Sequence, residues 1–350
     1  MAVKPGAAAV TVTALKAHAA ALGFDLCGIA PAERFPELSF LTEWLDRGYA
    51  GNMAWIGRTA EKRADIQQVL PGARSVIVLG TVYNTDRPYS TEVANPRAAL
   101  ISRYAWGDDY HDVLAERMER LLVWMREQSA EPFEARAYVD TGPVQERVFA
   151  QYAGLGWIGK NACLIHEQLG SWLFLSEIIT TLALEPDAPG LDRCGTCTLC
   201  IEACPTKAIV EPHVIDSTRC ISYLTIEERG AIPEALRDGV GNHVYGCDVC
   251  QDVCPFNHAP AISTDPAWQP RPGLDGVTSL DLWRTSDAAL RSFTKGSAMT
   301  RAKLPMLRRN LALALQASGD AGDVVALGEQ SPDRPSPSDA MVRQHIRIEP

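Results

Sequence analysis

The spacing of the cysteines constrains this chain more than any other feature of its sequence. Eight of the ten cysteines fall between Cys194 and Cys254. The first four, from Cys194 to Cys204, are followed by Pro205 and form the pattern C-x-x-C-x-x-C-x-x-x-C-P. In this pattern three closely spaced thiolates bind one 4Fe-4S cluster and the fourth crosses to a second cluster. The sequence therefore predicts a segment that is organised by metal.

A second group of cysteines supplies the remaining ligands. Cys247 and Cys250 precede Cys254-Pro255 but lack a close first member, which Cys220 can provide from 27 residues upstream. Under the crossed rule, the first cluster is predicted to take Cys194, Cys197, Cys200 and Cys254, and the second Cys204, Cys220, Cys247 and Cys250. The alternative is structural zinc, but zinc sites favour two C-x-x-C pairs separated by a longer loop. The two remaining cysteines, Cys27 and Cys163, are predicted to be core thiols.

Composition limits the classes of protein that fit. The 350 residues are 46% hydrophobic and 22% charged, as in a soluble globular protein of two or three domains. The start of the chain carries no export signal, and no apolar stretch approaches the roughly 20 residues that span a bilayer, so we expect a cytoplasmic protein. Because the formal net charge is -10, any polyanion must be bound by a local basic surface.

Hydrophobic periodicity predicts an α+β domain, then the cysteine segment, then a helical end. Strands are predicted at 24–29, 75–82, 133–139 and 172–184, and helices at 13–22, 36–49, 109–128, 143–152 and 298–317. Composition changes abruptly after Glu185. We therefore predict domains at 1–185, 186–260 and 261–317, followed by a flexible tail at 318–350.

A glycine-rich stretch from Gly154 to Gly159 matches G-x-G-x-x-G and, with Lys160, nearly matches a P-loop. Both motifs need a preceding strand, whereas a helix is predicted here, and Asn161 replaces the Ser or Thr that would bind magnesium. We therefore expect neither dinucleotide binding nor nucleotide hydrolysis. Two interpretations remain, a tight turn or the close approach of a large planar ligand.

Several motifs taken together resemble the epoxyqueuosine reductase family. They are Tyr138-Val139-Asp140-Thr141-Gly142-Pro143-Val144-Gln145-Glu146-Arg147, the segment 153–161, both cysteine groups, and Tyr245-Gly246-Cys247-Asp248. Shorter matching segments are Glu61-Lys62-Arg63, 104–111 and 220–225. The resemblance covers about residues 10 to 315.

This resemblance implies a cobalamin-dependent oxidoreductase. Members of the family remove the epoxide oxygen of epoxyqueuosine in the tRNA anticodon loop, the final step of queuosine biosynthesis. The implied architecture is an N-terminal α/β, nitroreductase-like domain that binds cobalamin, a ferredoxin-like domain with two 4Fe-4S clusters, and a helical C-terminal segment. No D-x-H-x-x-G motif supplies a histidine to the lower face of the cobalt. A flavodoxin- or ferredoxin-type reductant is expected, and the resemblance favours a monomer.

Asp140 is the predicted catalytic residue, because opening an epoxide needs a proton donor at its oxygen. It matches the proton donor proposed for the family, and burial would keep it protonated by raising its pKa. The alternative is a cap on the following helix. The family motifs also predict cobalamin or active-site contacts for Arg63, Arg103, Asp140, Ser222, Cys247 and Asp248, although the weaker candidates equally suit surface salt bridges or turns.

Four basic residues near the C-terminus are predicted to bind tRNA, namely Arg301, Lys303, Arg308 and Arg309. On a helix they flank an apolar stripe, so the solvated face of an amphipathic helix is an equally good interpretation.

Two other classes of function stay open at this point. A reductive dehalogenase shares the cobalamin and ferredoxin architecture, although this chain has no twin-arginine export signal. A two-cluster electron-transfer protein would bind iron without cobalt and would not act on tRNA.

Overall fold

Short helices and strands alternate along the chain, as its 26 glycines and 23 prolines predict. The computed structural model describes residues 10–328, together with Val342 and Gln344. The strands are β1 (Leu26–Pro31), β2 (Ser75–Val82), β3 (Leu100–Ile101), β4 (Ala135–Tyr138), β5 (Trp157–Ile158), β6 (Leu164–Ile165), β7 (Leu173–Thr180), β8 (Ile209–Glu211), β9 (Val214–Ile215) and β10 (His243–Tyr245). The α-helices are α1 (Val12–Ala21), α2 (Phe40–Asp46), α3 (Ala54–Arg58), α4 (Ala60–Ala64), α5 (Tyr110–Gln128), α6 (Glu146–Tyr152), α7 (Leu199–Ala203), α8 (Ile221–Ile226), α9 (Glu234–Val240), α10 (Val249–Asp252), α11 (Ser279–Arg284), α12 (Asp287–Thr294), α13 (Leu304–Ala317) and α14 (Ala321–Gly328).

Four of the strands form an antiparallel sheet in the order β1-β2-β7-β4. The β2 segment is buried along its whole length, because helices cover both faces of the sheet. Ile77 and Leu79 pack into the core that contains α1 and α5, whereas Val76 and Val78 pack into the core that contains α6. This alternation follows from the two-residue period of a strand. The strand predicted at 75–82 is confirmed.

Helix α5 carries one side of the functional site. Asp109 caps its first turn by accepting a hydrogen bond from the backbone N–H of His111 at 3.1 Å. Leu114, Met118 and Leu121 are buried at helical spacing against the sheet. This buried stripe fixes the rotation of α5 about its axis. The orientation of the side chains in its first turn relative to the sheet is therefore fixed as well. The helix predicted at 109–128 is confirmed.

The cysteine segment docks against the sheet domain through its backbone. Strand β10 pairs in parallel with β3, although about 140 residues separate them in the chain. Just after β10, buried Asp248 accepts hydrogen bonds from the Ser102 hydroxyl at 2.5 Å and from the Arg103 backbone N–H at 2.7 Å. Within the segment, α7 packs on α10, and β8 and β9 form a hairpin.

The C-terminal helices form a third core. Trp283, Leu290 and Leu311 are buried at its centre. The flexible tail predicted from residue 318 is corrected at its start, because 321–328 form α14 and the buried Asp323 accepts hydrogen bonds from Arg97. The rest of that predicted tail lies outside the described residues, apart from Val342 and Gln344. Among the described residues, no helix has both the length and the apolar character required to cross a bilayer.

The glycine-rich stretch is a tight turn between a helix and a strand. It follows α6 and leads into β5, which is the reverse of the order that a dinucleotide-binding motif needs. Gly156 has a φ of +151°, and a Cβ there would lie 2.1 Å from the Ile165 carbonyl oxygen. A glycine is therefore required at this position by the close approach of the backbone to β6.

Candidate active site

A cavity of about 1920 Å³ opens where the sheet domain, the cysteine segment and the C-terminal segment meet. The sheet domain contributes Asp140 and His111, the cysteine segment contributes Cys220, and the segment before α13 contributes Arg301. Aromatic side chains cover part of the wall, and they include Trp44, Trp55, Tyr104, Tyr110 and Tyr223. Small-molecule pockets usually measure about 300–1,000 Å³. This cavity is therefore large enough for a macrocyclic cofactor and a nucleoside together.

Asp140 and His111 face each other on the cavity wall. The Nε2 atom of His111 lies 3.4 Å from Oδ2 of Asp140, and its Nδ1 atom lies 2.7 Å from Oδ1 of Asp109. Asp140 has a φ of +56°, a conformation that costs energy for a residue with a side chain. It does not cap α6, whose N-cap is Gln145. The strained turn instead directs the Asp140 carboxylate into the cavity, where its side chain is 62% exposed.

The charges of this pair differ from those predicted. The surrounding protein opposes ionisation of Asp140, but the hydrogen bond and charge of His111 outweigh that effect, and the pKa of Asp140 lies below its ordinary value. Burial opposes protonation of His111, but hydrogen bonds to Asp109 and Asp140 raise the pKa of His111 to about 9. The prediction of a protonated Asp140 is therefore corrected, because the histidine holds the proton at neutral pH.

Two further carboxyl groups lie near Asp140. Glu146 begins α6 and lines the cavity, and Glu177 is fully buried in the middle of β7. Burial is the main influence on the half-buried guanidinium of Arg63 and lowers its pKa, while the nearby carboxyl groups of Glu146, Asp140 and Glu177 act in the opposite direction when ionised. Arg63 also donates to the Val144 carbonyl oxygen at 2.7 Å, which ties α4 to the turn before α6.

The predicted cofactor contacts separate into two groups. Arg63, Asp140 and Ser222 line the cavity. Arg103 does not, since its buried guanidinium donates to the carbonyl oxygens of residues 85, 87 and 88. Asp248 is likewise absent from the wall, because it bonds Ser102 and the Arg103 backbone. For Arg103 and Asp248 the prediction is corrected, since the Arg103 guanidinium holds a loop of its own domain and the Asp248 carboxylate joins the cysteine segment to the Ser102 hydroxyl and the Arg103 backbone. Cys247 does not line the cavity. It packs against the same hydrophobic cluster as Cys220.

The four predicted tRNA-binding residues divide into two that are exposed and two that are buried. Arg301 and Lys303 are exposed, and Arg301 lies on the cavity wall, paired with Glu227 and stacked 4.8 Å from the Trp55 ring centroid. Arg308 and Arg309 are 1% and 0% exposed. The guanidinium of Arg308 binds Asp287 and nearby carbonyl oxygens. That of Arg309 binds the carbonyl oxygens of residues 224, 228 and 230. The tRNA-binding prediction is corrected for these two, since no phosphate can reach them.

The thiols influence one another within two sets of four. In the first, burial followed by the charges of Cys194 and Cys197 raises the pKa of Cys200. Burial, followed by the charges of Cys194 and Cys200, raises the pKa of the Cys254 thiol to about 11. Cys254 thus lies with the first run although it is 50 or more residues away in the chain.

The second set combines the other four thiols. Burial followed by the charges of Cys220 and Cys204 raises the pKa of Cys247. The hydrogen bond that the Cys250 thiol donates to Cys163, then burial, then the charges of Cys163, Cys247 and Cys220 raise the pKa of Cys250. These neighbours agree with the crossed rule, and the assignment of each cysteine to one cluster stays a prediction. Eight thiols in two groups of four suit two 4Fe-4S clusters, each of which takes four thiolates.

The two remaining cysteines occupy different environments. Cys27 lies in β1, where burial raises its pKa to about 12, as expected for a core thiol. Cys163 contacts the Cys250 thiol, and this hydrogen bond lowers its pKa. The prediction of a simple core thiol therefore suits Cys27 better than Cys163.

Three residues of this site were not singled out from the sequence. His111 follows Asp109 at the start of a helix, a spacing that lets the helix cap also orient the imidazole. Glu177 is the single charged residue in the apolar strand LFLSEIIT, and Glu146 is the acidic residue of the Gln145-Glu146-Arg147 motif. A carboxylate in a strand buried on both faces is itself a signal, since burying it unpaired is costly.

Comparisons with known proteins agree on one family. Residues 63–141 match the family model described as "Epoxyqueuosine reductase QueG, DUF1730". Residues 193–257 match the model described as a 4Fe-4S double cluster binding domain. Among curated proteins, the epoxyqueuosine reductase of Gloeobacter violaceus is 47% identical over 320 residues, which cover 89% of this chain and 98% of the relative.

Solved structures give the same result. A crystal structure of selenomethionine-labelled epoxyqueuosine reductase superposes with a TM-score of 0.82 at 32% identity, covering 93% of this chain and 86% of the other. An epoxyqueuosine reductase crystallised with an epoxyqueuosine-modified tRNA-Tyr stem loop gives a TM-score of 0.80 at 32% identity, covering 91% and 85% of the two chains. Sequence and fold thus match over nearly the full length of the described chain, and this protein belongs to the epoxyqueuosine reductase family.

Proposed function

We propose that the cavity between the three segments is the active site, where epoxyqueuosine presented by a tRNA anticodon loop is reduced to queuosine. The observation that carries this proposal is the proton-bearing His111–Asp140 pair on a wall that also includes Cys220. One cavity thus joins a proton source to a thiol of the second cysteine set. Reduction of an epoxide to an alkene and water consumes two electrons and two protons, so both supplies must meet at the substrate.

The cavity suits the cobalamin of the family. Its volume of about 1920 Å³ exceeds that of ordinary small-molecule pockets, and Oε1 of Glu146 is a buried oxygen on the wall without a hydrogen-bond partner among the described residues. Arg63 and Ser222 would hold the cofactor from opposite domains. When bound, cobalamin supplies a reduced cobalt centre, which carries the electron chemistry. Under this assignment residues 1–185 form the cobalamin-binding, nitroreductase-like domain.

The two thiol sets are the proposed ligands of the two 4Fe-4S clusters. The first set comprises Cys194, Cys197, Cys200 and Cys254, and the second Cys204, Cys220, Cys247 and Cys250. Cys220 of the second set lines the cavity. The first set therefore faces the external reductant, a flavodoxin- or ferredoxin-type protein, and the second set faces the active site.

His111 and Asp140 together provide the general acid. His111 is oriented by Asp109 and holds a proton at neutral pH, whereas Asp140 is ionised and projects further into the cavity. As the epoxide oxygen gains electron density it becomes strongly basic, and it takes the His111 proton through the Asp140 carboxylate. A general acid placed in this way contributes about 10²–10⁴-fold to a rate.

The tRNA would approach along the exposed basic residues at the cavity rim. Arg301 and Lys303 remain suitable for phosphate contact, since both are exposed and Arg301 lies on the wall. An anticodon loop can present a splayed base to such a cavity at a modest energetic cost. The proposal also includes a cytoplasmic location, where tRNA is found, and a monomer.

The proposal is tested with protein purified without oxygen and supplied with cobalamin. We expect about eight irons and one cobalt per chain, and conversion of an epoxyqueuosine-containing stem loop to queuosine, measured by mass spectrometry of the nucleosides. Iron without cobalt and no conversion would instead indicate an electron-transfer protein. Turnover of a halogenated substrate without any action on the stem loop would indicate a dehalogenase.

A further inference from the structure

Two buried carboxyl groups adjoin the active site but have no part in the His111–Asp140 pair. Glu146 is at the start of α6 on the cavity wall, and Glu177 lies in β7 with 0% exposure. Oε1 of Glu146 and both oxygens of Glu177 are buried without a hydrogen-bond partner among the described residues. Below, Glu146 and Glu177 are called the carboxyl pair.

The environment of the carboxyl pair favours its protonated form. An ionised carboxylate without hydrogen bonds in the interior costs several kcal/mol, so such a group keeps its proton. Burial, followed by the charge of Asp140, raises the pKa of Glu146 to about 8. Burial, followed by the charges of Glu146 and Asp140, raises the pKa of Glu177 well above its ordinary value.

The charged and titratable groups around the carboxyl pair come from several elements. They are Arg63 of α4, Tyr138 of β4, which pairs with Glu177 in the sheet, Asp140 after β4, Arg147 of α6, and Tyr110 and His111 of α5. The positive charges of Arg63 and Arg147 lower the pKa of Glu146, but burial and Asp140 outweigh them. The net effect on the pair is retention of protons at neutral pH.

The carboxyl pair is connected to the catalytic aspartate. The Glu146 carboxyl group lines the same cavity wall as Asp140, the residue with the strained φ of +56°, and the charge of Asp140 contributes to the raised pKa of Glu146. Glu177 projects from β7 on the same side of the sheet as α6, because its neighbours at alternate positions, Leu175 and Ile179, pack into the α6 core. Glu177, Glu146 and Asp140 therefore form a series that leads from the sheet interior to the cavity.

The chemistry of the reaction leaves a place for such a series. Reduction breaks both C–O bonds of the epoxide and forms a C=C bond, with two electrons supplied through the cofactor. The oxygen takes up two protons and leaves as water. The His111–Asp140 pair holds one proton, so each turnover needs a second.

We propose that the carboxyl pair is a proton store that delivers this second proton to the leaving oxygen through Asp140. This inference rests on the proposed function. Glu146 and Glu177 act through Asp140 and are therefore positioning and proton-supplying residues, not groups that touch the substrate.

The first test does not depend on activity. Infrared difference spectroscopy distinguishes the carbonyl band of a protonated carboxyl group from the bands of a carboxylate. We expect the cofactor-free protein at pH 7 to show a protonated-carboxyl band that disappears in Glu177→Gln. The matched control is Glu134→Gln, the same substitution at an exposed residue just before β4. A spectrum in which Glu177→Gln removes no protonated-carboxyl band would overturn the inference. If Glu177→Gln does not fold, Glu146→Gln on the cavity wall replaces it in this test.

The second test is the pH profile of the loaded enzyme on an epoxyqueuosine stem loop. We expect Glu146→Gln to lower kcat at pH 7 about tenfold with little change in KM. Its alkaline limb should move from near pH 8 to near pH 9, because His111 becomes the first group to lose its proton. Glu134→Gln should retain the wild-type profile. Wild-type turnover with an unchanged profile in Glu146→Gln would overturn only the role of the pair, whereas no wild-type turnover would overturn the proposed function as well.

Discussion

Two regions of the protein bury ionisable side chains and differ in how the polar atoms of those side chains are satisfied. In α13, Arg308 and Arg309 are almost fully buried, and their guanidinium groups are satisfied by Asp287, by Asn310 and by backbone carbonyl oxygens. Beside the cavity, Glu146 and Glu177 keep buried oxygens without any partner among the described residues. A buried guanidinium whose donors are hydrogen-bonded contributes to the architecture, whereas a buried carboxyl group without a partner is retained at a cost in stability and is a candidate for function.

The largest effect is expected where the buried charge is fully paired. Arg308→Ala removes the partner of buried Asp287 and leaves three carbonyl contacts, to residues 282, 283 and 285, unmade, which should cost about 3–5 kcal/mol of unfolding free energy. Urea denaturation measures this loss. Lys303→Ala, an exposed basic residue one turn before, is the control and should change stability little. A small effect of Arg308→Ala would remove the contrast between the two regions.

The next largest effect is expected on turnover at the cavity. Asp140→Asn interrupts proton transfer and His111→Gln removes the proton carrier, so each should lower kcat about 100-fold or more. Iron content should stay at the wild-type level, because neither residue belongs to a thiol set, and cobalamin content should stay close to it, because Arg63 and Ser222 are the residues proposed to hold the cofactor. Single-turnover assays on the stem loop measure the loss. Unchanged turnover in Asp140→Asn would remove Asp140 from the mechanism.

A smaller effect is expected for exposed charge at the rim. Lys303→Glu should weaken tRNA binding about fivefold at moderate salt and reduce the salt slope by about one. Lys295→Glu makes the same charge change at another exposed position and should bind tRNA as the wild type does. Filter binding at several salt concentrations measures both variants. Equal weakening by both substitutions would show a general effect of net charge and not a contact at the rim.

The smallest effect concerns the pH dependence of stability. The pKa of His111 is raised from 6.5 to about 9 in the folded state, so its contribution to stability is complete below pH 6.5 and is lost as pH rises through 9. Because the side chain is partly exposed, this contribution should be only about 1 kcal/mol. The difference in urea midpoint between wild type and His111→Gln should shrink from pH 6 to pH 10. A difference that grows with pH would contradict the assigned charge of the pair.

Local patterns predicted the parts of the molecule that depend on local spacing. The two thiol sets follow from the distances between cysteines along the chain, since a C-x-x-C-x-x-C turn can present three thiolates to one cluster. The strand at 75–82 and the helix at 109–128 follow from hydrophobic periodicity. Asp140 was found through its motif and lies on the cavity wall, but its pKa depends on His111, which is 29 residues away.

The corrected residues depend on contacts that periodicity cannot show. Helix α13 is buried from 306 to 315 on all sides, so its arginines face other segments and not solvent. Whether a basic residue is solvated or enclosed is decided by α8, α11 and α12, which come from elsewhere in the chain. Arg103 and Asp248 were predicted near the cofactor from their positions in family motifs, and the motifs could not show that the Arg103 backbone and the Asp248 carboxylate join two segments, since this docking is a tertiary property.

The pairing of β3 with β10 has a consequence for how this protein is made. Residues 100–101 cannot form this strand pairing until the ribosome has synthesised residues 243–245. Cys247 is two residues beyond that strand. Contacts of such long sequence separation form slowly, because the loop between them must be closed first. We therefore expect the second thiol set to be completed late, after the sheet domain has folded, so that iron–sulfur insertion there reports that the whole chain has assembled.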